Sequence, residues 1–230
     1  MKTRIARWPV VGSAVAALSL AFTSVANAAT ELVGTFKLEA GHDTAGGVDG
    51  SYFRMVQPGG TIANGPFVAN ISSAADHDSY TFLSPGTDDG LKTGAYQPLA
   101  NPAFDGVGNS LSARIIDPTP FFGINFSVST NSTDPQTGHK NTPAPELSYD
   151  SKGNVSGDVS AFAASWNNQQ FNQGAPKPDG STPGLTSGPT GHYNPSTGAF
   201  EVNWASHIQG GPFNGFTGSW HLEGTFEAAN

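Results

Sequence analysis

The chain contains no cysteine. That single absence removes structural disulfides, thiolate catalysis, cysteine zinc sites and lipoprotein anchoring. Positive charge is also scarce, with ten basic residues against eighteen acidic ones, and all four charged types together make up 12% of the chain. Nucleic acid is bound through clustered Lys and Arg. Here Lys37, Arg54, Lys92, Arg114, Lys140, Lys152 and Lys177 are scattered singly, which argues against nucleic acid and against anionic membrane surfaces as partners. Past residue 28 no window approaches the ~20 consecutive apolar residues of a spanning helix, so no integral membrane segment is expected after cleavage of the leader. Helical periodicity free of Gly, Pro or β-branched runs is missing as well.

What is present begins with a leader. Lys2, Arg4 and Arg7 precede an apolar run from Pro9 to Phe22 and a small-x-small sequence at Ala26-Asn27-Ala28, the pattern of a secretory signal peptide over residues 1–28. The expected mature protein is a single β domain over residues 29–230, located outside the cell, at its surface or in the periplasm. Its seven basic and eighteen acidic residues leave a formal charge of about −11. An exported chain without cysteine points to a bacterial source. The Asn-x-Ser/Thr sequences at Asn70, Asn125, Asn131 and Asn154 then read as polar strand and loop residues rather than glycan acceptors. Fifteen Phe, four Trp and five Tyr supply the apolar area that an ordered core needs.

Strand signals recur throughout. Glu31 to Glu39 alternates Leu32, Gly34, Phe36 and Leu38 against charged and polar residues, with Val33 the exception. Further candidates are Ser51 to Gln57, Phe67 to Ser72, Ser79 to Ser84, Ser110 to Ile116, Phe121 to Ser129, Glu146 to Tyr149, Val155 to Trp166, Gly198 to Ile208 and Gly215 to Glu227. Tyr149 to Asn154 and Tyr193 to Gly198 each carry an aromatic residue, an Asx residue and then a Gly suited to positive φ, the chemistry of a hairpin turn. Gly-Thr-Phe occurs at residues 34–36 and again at 224–226, and pairing the two would hide the edges of the first and last strands. The fold class read from these patterns is all-β, an antiparallel sandwich or small barrel with Gly/Pro-rich loops. Asn172 to Gly191, the longest irregular stretch, reads as a surface flap.

Three groups of residues are candidates for chemistry. On the last two strands, period two puts Phe200, Val202, Trp204, Phe216, Trp220, Leu222 and Phe226 on one face and Glu201, Asn203, His207, His221 and Glu223 on the other. Two imidazoles and two carboxylates on one surface offer a catalytic site, while a solvated sheet face has the same composition. On that second reading His221→Gln would change stability by no more than ~0.5 kcal/mol. Trp166, Asn168, Gln170 and Phe171 combine flat rings with amides at a strand end, as a sugar site would. Acidic turns at His42-Asp43, Asp49-Gly50, Asp76-His77-Asp78 and Asp88-Asp89-Gly90 read as turn chemistry, since none matches a calcium loop. No Gly-x-Ser-x-Gly elbow occurs, and no metal or cofactor is assigned.

The expectation is therefore a secreted or cell-surface non-enzymatic protein, with a glycan or small apolar molecule as its neutral ligand. A secreted hydrolase or isomerase using Glu201, His207, His221 and Glu223, and an outer-membrane barrel, stand as the alternatives.

Overall fold

Period-two alternation sets the architecture, because a strand with one apolar parity must lay that face against another layer. The computed structural model describes residues 29–229, so the signal-peptide reading of residues 1–28 lies outside the described residues. Among those described there is no helix, and the fold is all-β and antiparallel, with one sheet curled into a half-barrel. In chain order the strands are β1 (Thr30–Leu32), β2 (Gly34–Leu38), β3 (His42–Thr44), β4 (Gly47–Asp49), β5 (Tyr52–Thr61), β6 (Gly65–Phe67), β7 (Thr81–Phe82) and β8 (Gly90–Lys92), followed by β9 (Thr119–Phe121), β10 (Ile124–Thr130), β11 (Glu146–Tyr149), β12 (Asn154–Asp158), β13 (Phe162–Trp166), β14 (Gln169–Asn172), β15 (Ser187–Tyr193), β16 (Ala199–His207) and β17 (Thr217–Ala228).

The large sheet runs β1-β11-β12-β15-β16-β17-β2-β8, and β5 joins it at β17. Strand β17 is long enough to serve two partners on one edge. Thr217 to His221 pair with Val56 to Tyr52 of β5, and Gly224 to Ala228 pair with Leu38 to Gly34 of β2. The repeated Gly-Thr-Phe is brought together here, with Phe226 opposite Phe36. Both anticipated hairpins form, with Tyr149 opposite Val155 and Tyr193 opposite Phe200, and Gly153 and Gly198 take φ of 83° and 76°.

A second sheet, β14-β13-β10-β9, closes the core. Its Phe162 meets Trp204 and Trp220 edge-on at 5.0 Å each, and its Phe126 lies 5.7 Å from Phe53. Gln173 sits between the tryptophans, which are 5.9 Å apart and nearly parallel. Trp204 Nε1 donates to its backbone oxygen at 2.9 Å, and Trp220 Nε1 donates to its Oε1 at 3.1 Å. Both indole donors are thereby satisfied within the core, as buried polar atoms require.

Several expectations are corrected. Val155 to Trp166 is two strands in two sheets, with buried Val159 and Ser160 at the crossing. Ser110 to Ile116 forms only isolated bridges, and pairing ends at Phe67 instead of reaching Ser72. Asn172 to Gly191 is no flap, since Asn172, Gln173, Ala175 and Lys177 are buried and Ser187 onward is β15, inside the large sheet. Pro189 disguised that strand. A proline removes a ladder donor, and the register of β15 against β16 shifts between Ser187 and Thr190 to accommodate it.

Candidate functional site

The outer face of β16 and β17 has the register that the hairpin reading implied, with Glu201 opposite Glu223 and Asn203 opposite His221. His221 is not a freely solvated side chain. Its ring stacks on Tyr52 at 4.5 Å with 14° between planes, its Nδ1 lies 2.7 Å from Asn203 Oδ1, and its Nε2 lies 3.4 Å from Glu223 Oε2. Asn203 Nδ2 in turn donates to Glu201 Oε1 at 2.9 Å.

His207 stands apart from this group. It lies four residues beyond Asn203 on β16, about 13 Å along a strand, at the far end of the hairpin opposite Thr217. Its ring packs on Gly184, where a Cβ would come within 2.6 Å of Nδ1. Burial lowers its pKa, and the charge of Lys177 adds to that effect. The structure thus joins Glu201, His221 and Glu223 but leaves His207 outside. Among the described residues no three His, Asp or Glu side chains converge as they would around a metal ion.

The stack beside His221 was not legible from spacing. Tyr80 packs edge-on against Tyr52 at 4.9 Å, and the Arg54 guanidinium lies over the rings of Phe67 and Tyr80 at 3.2 and 4.3 Å. Burial raises the pKa of Tyr52, with Tyr80 contributing in the same direction. Burial lowers that of Arg54. These groups interlock over the sheet surface.

Two of the acidic turns bond protein partners. Asp43 Oδ2 accepts from the backbone N–H of Asp76 at 2.8 Å, and Asp88 pairs with Arg114 at 2.8 Å and Lys92 at 3.5 Å.

The concave apolar feature lies at the other site. Trp166, Asn167, Asn168 and Gln169 make the β13–β14 hairpin, with Asn167 and Asn168 at φ of 49° and 57°, the two positive φ values of a tight primed turn. Pairing of Ala164 with Phe171 and of Ser165 with Gln170 divides the anticipated aromatic and amide group between two faces. Trp166 and Phe171 turn toward the core, while Gln170 bonds Ser165 Oγ at 2.7 Å on the opposite face. Asn168, at the tip, lies beside Gly108.

Trp166 and Phe171 line a slot of about 40 Å³ between the two sheets, together with Phe53, Phe121, Phe126, Phe213, Trp220 and four further residues, of which only Gln173 is polar. All of its lining residues are buried except Trp166 and Phe213, so the slot meets solvent there. Trp166 is fixed by its Nε1, which donates to Phe121 O at 2.7 Å. Phe213 comes from the loop between β16 and β17, where Gly210, Gly211 and Gly215 all have positive φ. Its ring lies 5.4 Å from Trp166 and 6.0 Å from Phe122.

Phe122 is the unusual residue of this end. It forms the β9–β10 turn with Gly123 at φ of 50°, yet 43% of it is exposed. A bulky residue in the left-handed region is a true outlier. The turn is held by Asn70 and Ser72, which accept from the N–H groups of Phe122 and Gly123 at 3.3 and 2.9 Å. Ile71, between those two, is 84% exposed. Comparison with protein-family models, with curated proteins and with solved structures finds no match for this chain.

Proposed function

We propose that the protein is a secreted or cell-surface, non-enzymatic binding protein that takes a small apolar molecule between its two sheets at the aromatic end. The observation that carries this reading is the slot itself, apolar apart from Gln173 and opening between Trp166 and Phe213. Ligand sites are concave and mostly apolar with few polar groups. At about 40 Å³ the closed slot is smaller than any such ligand, so entry requires Phe213 to swing outward on its glycine-rich loop. Phe122 supports the same reading, because strain kept in an exposed aromatic residue is characteristic of functional positions.

An apolar ligand is favoured over a glycan because the rings and amides of the 166–173 segment face opposite ways. A hydrolase using two imidazoles is disfavoured by the separation of His207 from His221. The outward residues of β16 and β17 include Glu201, Asn203, His221 and Glu223, the reverse of the apolar exterior of a membrane barrel.

Titration with the neutral probe N-phenyl-1-naphthylamine, read by probe emission and by tryptophan quenching, tests the proposal. Saturable binding is expected in the native chain. It should be lost in Ala164→Leu, which fills the slot from β13, and kept in His221→Gln on the outer face. Absence of saturable binding, or equal binding in Ala164→Leu with its fold intact, would sink the reading.

A further inference from the structure

Phe171 and Gln173 line the aromatic slot, whereas Asn172 and Lys177 line a separate pocket of about 330 Å³ with Gln136, His139, Asp179 and Gln209. That volume lies at the lower end of the range for small-molecule sites. Lys177 is only 5% exposed, and lysine is almost never buried without a charged partner. Lys37, Lys92 and Arg114 each pair with a carboxylate. Among the described residues no carboxylate stands within ion-pair reach of Lys177 Nζ.

Its partners are neutral instead. Nζ donates to Asn172 O at 3.0 Å and to Ser206 Oγ at 2.7 Å, and the Ser206 hydroxyl in turn donates to Gly174 O at 2.8 Å. The buried carboxylate of Asp134 is taken up by Asn172 Nδ2 and by the N–H and hydroxyl of Thr137. A neutral amine has two N–H donors and one lone pair. The two acceptors satisfy both donors and leave the lone pair, while the third N–H of an ammonium finds no acceptor among the described residues. The surrounding charges are Asp134, Asp179, His139 and His207. Burial outweighs the two carboxylates and brings the amine to a pKa of about 8.

We propose that Lys177 is a carbonyl-capturing amine in this pocket, forming a reversible imine with a small polar aldehyde or ketone. The Nζ lone pair adds to the carbonyl carbon, and the carbonyl oxygen takes up a proton to give a carbinolamine. Loss of that hydroxyl with a proton, as water, forms the C=N bond. No oxidant or reductant takes part. His139 stands at the pocket wall to carry the protons, and the side-chain amide of Gln209 lines the same space. The amides of Gln136 and Asn172 are bonded to protein partners, and the Gln209 amide favours a polar carbonyl compound over an apolar one. The site shares no lining residue with the aromatic slot, so it stands or falls independently of the function proposed above.

The test is reductive trapping of the native protein with limiting glycolaldehyde and cyanoborohydride at pH 7, followed by peptide mapping of every lysine. Lys177 should acquire its hydroxyethyl group at least ~10-fold faster than the exposed Lys140 and Lys152. The preference should vanish when the same protein is labelled in urea. His139→Gln, at an exposed position, should slow capture at Lys177 while the melt stays unchanged. Labelling that favours Lys140 and Lys152 and spares Lys177 in the folded protein would overturn the proposal, as would a preference for Lys177 that survives in urea.

Discussion

Replacing Trp220 by Phe should cost about 3 kcal/mol, and roughly half of that should be recoverable at a second residue. Trp220 is 1% exposed, and its Nε1 donates to Oε1 of Gln173, itself 2% exposed. Phenylalanine keeps one ring but deletes the donor, leaving a buried amide oxygen unpaired at about 1–3 kcal/mol. The atoms lost from the indole leave a small void worth about 1–2 kcal/mol more. Gln173→Met alone orphans the Trp220 N–H and should cost a similar 1–3 kcal/mol. Combining the two changes removes donor and acceptor together, so the double variant should be more stable than the summed losses by about 1–2 kcal/mol. Urea melts of the four proteins, followed by circular dichroism, give the coupling directly. Additivity within ~0.5 kcal/mol would mean that the hydrogen bond at the centre of this core does not form.

Truncating Trp204 to Ala should cost about 3–5 kcal/mol in the same melts, since its ring is buried against Phe162. His221→Gln should cost about 1 kcal/mol, more than a solvated position would, because the imidazole bonds Asn203 and stacks on Tyr52; an unchanged urea midpoint would contradict this. Phe122→Asn should do the opposite, raising stability by about 1 kcal/mol because Asn-Gly suits a primed turn, while weakening uptake of the naphthylamine probe. For Lys177 the sign follows from a folded pKa of about 8, below the ordinary 10.5. The unfolded chain holds the proton more tightly, so the wild type gains stability as pH rises from 8 toward 10.5, by at most about 3 kcal/mol, relative to Lys177→Met. Parallel stability curves for the two proteins at pH 7.5 and 9.5 would refute it.

The long regular strands were readable because alternation alone assigns their faces. Phe200, Val202, Trp204, Trp220 and Leu222 are buried, and the two Gly-Thr-Phe segments meet. What escaped were features decided by distant parts of the chain. Pro189 and its neighbouring glycines look like loop residues, yet β12 and β16 on either side hold them in a sheet. Trp166 and Gln170 appear together in sequence, but a two-residue turn sends them to opposite faces. His207 shares parity with His221, and parity is silent about distance along a strand. The slot needs Phe53, Phe121 and Phe213 from three separate segments, and the setting of Lys177 depends on Ser206 of β16, so neither leaves a local signature.

The division of β17 between two partners also governs the order of assembly. Its residues are the common neighbour of β16 along one edge and of β5 and β2 along the other. Nearly two hundred positions separate β2 from the segment it joins. Closure of such distant pairs is entropically slow, which places folding in the millisecond-to-second regime of non-local β topologies. Until Thr217 to Ala228 are available, β2 and β5 have no shared strand to gather on and Phe36 and Phe53 lack their opposite rings. The pairing of β2 and β5 through one shared strand therefore waits on Thr217 to Ala228.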